Sequence, residues 1–141
     1  MMGRQTFLAH FIIVLACAGA SFFAWQRGIP QLVWANDVAG WFGLAIGAVT
    51  ISAMLWLGWQ AWRIDHADAS YGHLVSLLCP AIGMLGTVVG LSLSLSKVGD
   101  PVQMIASAHT AFYSTGAGIV GMIVVMLMTH SLEVGIKRAR P

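Results

Sequence analysis

Four apolar stretches dominate the chain: Thr6–Trp25, Val38–Trp62, Leu74–Ser96 and Val102–His130. A helix crosses the hydrocarbon layer with about 20 mostly apolar residues, and each stretch meets that length. The segments between them are short. Gln26–Asp37 contains Arg27-Gly28 and Pro30, and Arg63–His73 contains Asp65, His66, Asp68 and His73. Lys97–Pro101 carries Gly99-Asp100-Pro101, which stops one helix and starts the next. No linker is long enough to separate domains. The pattern predicts one all-α, four-helix integral membrane bundle, its fourth span long enough to tilt or to project beyond the bilayer.

Composition narrows the function classes. Of 141 residues, 58% are hydrophobic and 9% charged, where soluble domains carry about 25% charged residues. So few charges cannot supply the surface of a globular domain. The same apolar content excludes a disordered chain, and a net charge of +2 leaves no basic footprint for nucleic acid. Cys17 and Cys79 both sit in apolar stretches, without a disulfide framework or zinc spacing.

Lys and Arg set the orientation of such a chain. Arg4, Arg63, Lys137, Arg138 and Arg140 fall on the side shared by both termini and the middle loop, and Arg27 and Lys97 on the other. Both termini are therefore expected in the cytoplasm. Arg4 followed by Phe7–Ala16 also resembles a signal peptide, and Val14-Leu15-Ala16-Cys17 approaches a lipoprotein cleavage site. Hydrophobicity continues through Phe22-Phe23-Ala24-Trp25, which favours an uncleaved first helix. Cleavage would leave three spans with the C-terminus still inside.

The spans are of two kinds. All six tryptophans lie in the first 62 residues. Trp25, Trp34 and Trp41 surround the first loop, and Trp56, Trp59 and Trp62 the opposite end of the second span. Such clusters read as interfacial belts on lipid-facing helices. Spans three and four have no tryptophan. On the third, Gly83, Thr87, Gly90 and Ser94 share one helical face, with Ser92 and Ser96 in a second polar row. On the fourth, Ser107, Ala111, Ser114, Gly118 and Gly121 recur at alternating spacings of four and three, with Thr110 and Thr115 beside them. Two readings of these stripes stand: close helix packing, as Gly43–Gly47 of the second span also offers, or a hydroxyl-lined path for ions. Both hold if several copies pack these helices around a shared axis.

No strongly ionisable group sits in mid-span. Asp37, Asp65, Asp68, Asp100 and Glu133 lie in loops or at span ends, and only His10 and His109 come near. For His109 a bond to a backbone carbonyl is the simpler role than a proton relay. His66 and His73 beside Asp65 and Asp68 read as a solvated turn rather than a metal site. With no nucleophile–base pair, phosphate loop or metal cluster, the residues point to no enzyme and no cofactor.

The segment Cys79-Pro80-Ala81-Ile82-Gly83-Met84-Leu85-Gly86-Thr87-Val88-Val89-Gly90-Leu91 resembles the P-x-x-G-x-x-G-T-V-x-G helix of the MotA/TolQ/ExbB proton-channel family. Ala108-His109-Thr110-Ala111-Phe112-Tyr113-Ser114-Thr115-Gly116-Ala117-Gly118-Ile119-Val120 is similar to that family's next helix. The two motifs occur in the family's order and cover about Leu74–Leu132, while the first 73 residues match in topology alone. The resemblance implies an inner-membrane subunit, commonly five copies around two single-span partners of the MotB/TolR/ExbD type. An aspartate on the partner is the family's proton acceptor, and threonines of the two inner helices face it. Thr87 and Thr115 stand at those positions, and Pro80 at the family's proline. Ser94, Ser114 and Thr110 complete the expected ion-pathway or partner-contact set, and Gly83, Gly86, Gly90, Gly118 and Gly121 the expected inner-helix packing set. Residues 1–73 are then two peripheral helices, and 74–141 a channel core with a short basic tail.

This chain departs from that family's pattern in three ways. Only Arg63–His73 fills the place of its substantial cytoplasmic region, Thr110 stands near an acidic position of TolQ and ExbB, and Val124 stands near a second proline. The leading expectation is the ion-conducting subunit of a motor driven by the proton-motive force. The alternatives are a holin-like pore-forming or scaffold protein without a partner, and a subunit that only assembles.

Overall fold

The computed structural model describes residues 2–28, 37–63, 66–96 and 99–139. Pro30, Trp34, Lys97 and Arg140 lie outside the described residues. Four helices follow one another: α1 (Met2–Gln26), α2 (Asp37–Trp62), α3 (Ser70–Ser96) and α4 (Pro101–Ala139). All four are long and apolar enough to cross a membrane. α4 has 39 residues, about 58 Å at 1.5 Å per residue. That is nearly twice the ~30 Å hydrocarbon layer, so this helix tilts strongly, extends into water, or does both.

Local chemistry explains the helix ends. Gly28 adopts φ 70°, the left-handed conformation that closes a helix and that glycine takes without steric cost. Asp68 Oδ1 accepts hydrogen bonds from the Ser70 amide at 2.9 Å and the Ser70 hydroxyl at 2.6 Å. Those donors hold its carboxyl below the usual carboxylate range. With that turn in place, α3 starts at Ser70, four residues ahead of the apolar stretch that begins at Leu74. At the start of α4, Asp100 Oδ1 accepts from the amides of Val102 at 3.1 Å and Gln103 at 3.3 Å. Pro101 fills the first helical position, where a missing N–H costs nothing. Beyond His130, α4 continues because Leu132 and Gly135 are buried and Lys137 and Arg138 sit in its last turn, where the helix dipole favours cations.

α3 and α4 share the most extensive interface. α2 packs against both, and α1 packs against α4 and α2. The buried core joins Ala53, Leu57 and Ala61 of α2 to Val75 and Cys79 of α3 and to Val125, Met128 and Leu132 of α4. Most other large apolar side chains are exposed, including Phe22, Leu55, Leu77, Val88 and Phe112, as suits helices whose solvent is lipid. At one end of the bundle the rings of Phe7 and Trp62 meet edge-on at 5.4 Å. Trp56 lies 5.3 Å from Trp59 and 5.7 Å from Tyr71, and the Arg63 guanidinium covers Trp59 at 4.9 Å. The second tryptophan cluster thus ties α1, α2 and α3 together at the level of Arg63.

Replacing the capping carboxylate tests this reading. Asp100→Ala should lower thermal stability in detergent by about 1 kcal/mol, and Asp100→Asn should restore most of it.

Candidate functional site

The small-residue rows are buried where α3 meets α4. Gly83, Gly86, Gly90 and Ser94 of α3 are buried, as are Ser107, Ala111, Ser114, Gly118 and Gly121 of α4. At Gly83 a Cβ atom would lie 2.8 Å from the Ser114 carbonyl oxygen, and at Gly118 2.7 Å from that of Cys79. Each would strike the facing backbone, which cannot turn aside. At Gly90 the same atom would lie 3.0 Å from the Cβ of Ala111. Close packing is therefore what these rows do within one copy of the chain. Gly47 of the second span, by contrast, faces open space.

Hydroxyls complete the seam. Ser114 Oγ donates within reach of Ala111 O at 2.9 Å and Gly83 O at 3.3 Å, and Ser94 Oγ donates to Met104 O at 2.9 Å. The Ser94 bond ties the far end of α3 to the start of α4. Thr87 and Thr115 meet directly through their hydroxyl oxygens. Thr87 Oγ1 also lies 3.1 Å from Gly83 O and 3.2 Å from Ala111 O, and Thr115 Oγ1 lies 3.3 Å from Ala111 O. Both side chains are half-buried. Thr87 is four residues from the middle of α3, about 6 Å along the axis.

The two sides of the seam differ. On one, α2 closes over it: Phe42 contacts Gly86, and Thr50 and Ile46 contact Gly121. Thr50 Oγ1 donates to Ile46 O at 2.8 Å and stands 3.7 Å from Cys79 Sγ. On the other side lie Thr87 and Thr115, flanked by exposed Met84, Leu91, Ile119 and Met126. The threonine pair is thus the polar centre of an edge that α2 leaves open.

Pro80 sits inside α3 without ending it. Having no N–H, it leaves the Ser76 carbonyl without its helical donor. Thr110 lies within α4, and its side chain is outside the described residues. His109 is exposed. His10 is bonded to a carbonyl: it is 2% exposed, with its Nδ1 2.9 Å from Thr6 O. Sequence reasoning missed the contact of Gly72 with Thr129, Thr50 at the α2 junction, and a bond between His73 and Glu133. Among the described residues, no three His, Cys, Asp or Glu side chains could share a metal ion.

The model of the MotA/TolQ/ExbB proton channel family matches residues 65–140. Motility protein A of Helicobacter pylori strain 26695 is 37% identical over 54 residues, covering 38% of this chain and 21% of that protein. The strain J99 protein matches to the same extent. The matched part therefore spans about a fifth of the length of these curated relatives. No solved structure matches the chain.

The seam makes a prediction about its glycines. Gly83→Val and Gly118→Val should each destabilise the folded chain by about 1–3 kcal/mol or more in a denaturant titration, because the facing backbone must move. Gly116, which faces open space, should accept Ala with no loss and a gain of up to about 1 kcal/mol from helix propensity.

Proposed function

The chain belongs to the MotA/TolQ/ExbB proton channel family, and from that premise we propose that it is the channel subunit of an ion-driven motor complex. Several copies, five on the family's pattern, surround the single transmembrane helices of a two-copy partner. The complex sits in the inner membrane with both termini in the cytoplasm. Each copy turns its Thr87–Thr115 edge toward the shared axis, with α1 and α2 outside.

One observation carries this reading: the two family-matched threonines touch at mid-helix, on the edge of the α3–α4 seam that α2 does not cover. A threonine hydroxyl has one donor and two acceptor lone pairs. Here it can turn between carbonyls of its own helices and an incoming group without leaving a buried donor unpaired. An ionised carboxylate on a partner helix would draw the hydroxyl proton toward itself. Once protonated, the same carboxyl would donate to the threonine oxygen, and the attraction for the ion-pathway surface would change. Cycling between the two states steps the partner from one copy to the next.

The placement of acidic residues agrees with a supplied carboxylate. Asp68 lies in the turn before α3, Asp100 caps α4, and Glu133 lies six residues before the end of α4. A buried carboxylate in the middle of a span would cost several kcal/mol. The partner's aspartate meets that cost only where the threonines receive it.

Thr87→Val combined with Thr115→Val keeps size and shape while removing both hydroxyls. The complex should still assemble, and proton flux in reconstituted vesicles should fall roughly tenfold or more, about 1.4 kcal/mol in barrier height. Undiminished flux from the assembled double variant would overturn the role of this edge. Permeabilisation of vesicles by this chain alone would point instead to the holin-like alternative.

A further inference from the structure

One other polar contact bridges α3 and α4 on the threonine edge. His73 Nε2 and Glu133 Oε1 stand 2.7 Å apart, with the side chains 60% and 34% exposed. Glu133 follows Thr115 by eighteen residues, which is five full turns at about 3.6 residues per turn, so the two share one line along α4. His73 precedes Thr87 by fourteen residues, just under four turns, which leaves it within about 40° of Thr87 around α3. Both pairs therefore bridge the same side of the seam, about 21–27 Å apart along the helices. α2 occupies the other side, where Phe42 meets Gly86 and Thr50 meets Gly121. Between the pairs lies Pro80, beneath which the Ser76 carbonyl lacks a helical donor.

The chemistry of the pair suits proton passage. An ionised Glu133 can only accept, so His73 donates from Nε2, and in the neutral imidazole Nδ1 then carries a free lone pair. Both residues reach water. His130 and Lys137 of α4 also lie near Glu133.

We propose that His73 and Glu133 form the proton-transfer station at the loop end of the threonine edge. A proton arriving on water binds His73 Nδ1. The Nε2 proton then passes to Glu133 Oε1, and Glu133 releases it to water beyond the helix ends. Ring rotation or tautomer exchange returns the imidazole to its starting state. One proton enters and one leaves, and both side chains end as they began. This inference rests on the channel reading given above, and extends the ion path from the threonines to the end of the bundle.

The test uses the native complex, purified through a tag on this chain and reconstituted into vesicles with an entrapped pH-sensitive dye. His73→Gln keeps a donor for Glu133 but cannot carry a proton, and Glu133→Gln removes the acceptor that releases it. Each should lower flux roughly tenfold or more with the yield of assembled complex unchanged. In His73→Ala, added imidazole should restore part of the flux, an outcome that a clamp between α3 and α4 would not give. Wild-type flux in both glutamine variants overturns this inference alone. So does a loss of flux that follows loss of assembly and is not rescued by imidazole. Absence of flux in the wild-type complex removes the channel reading, and this inference with it.

Discussion

At Gly83 and Gly118 the backbones of α3 and α4 come close enough that neither position has room for a Cβ atom. In lipid no hydrophobic force draws one apolar helix to another, so association relies on van der Waals contact and interhelical hydrogen bonds. Both require close approach. Ser114 can reach Gly83 O only because Gly83 and Gly118 bring the helices together, and the meeting of Thr87 with Thr115 depends on the same spacing. The glycine contact thus sets the geometry of every polar group along the seam. It also divides that seam into a side closed by α2 and a side left open.

On the channel reading proposed above, this division gives a physical reason for the scarcity of charge within the spans. Mid-span carboxylates are costly, whereas a threonine can satisfy its hydrogen bond within its own helix until a partner arrives. Thr87 has carbonyl acceptors at Gly83 and Ala111 and so carries no unpaired donor at rest. On that reading the proton acceptor belongs to a partner, and a surface of paired hydroxyls is suited to receive it. The charged and titratable groups His73 and Glu133 lie toward the helix ends, where water can support them.

Much of this was legible in the residues. Four spans follow from length and hydropathy, and the cap at Asp100-Pro101 follows from turn chemistry. The pairing of α3 with α4 follows from small residues on matching faces of Gly83–Ser94 and Ser107–Gly121. What the periodicity left open was whether those stripes served packing or conduction. In the structure the stripe centres are buried in the seam, and Thr87 and Thr115 stand half-buried at its rim. A helical repeat names a face but not which part of it a second helix will cover. The contacts of Gly72 with Thr129 and of His73 with Glu133 were hidden for a related reason. They join residues far apart in the chain, and their pairing depends on the register of two antiparallel helices. Glu133 carried one readable signal, its spacing of whole turns from Thr115. The extension of α4 to Ala139 was less visible because His130, Glu133 and Lys137 interrupt its apolar run.

The central claim is that the open edge of the α3–α4 seam faces a shared axis. A cross-section of the assembled complex by electron cryomicroscopy tests it most directly. The account predicts a ring in which every copy turns Thr87 and Thr115 inward, with partner helices at the centre presenting a carboxylate at that height. A complex in which the same edges are buried between neighbouring copies, or face lipid, would contradict it.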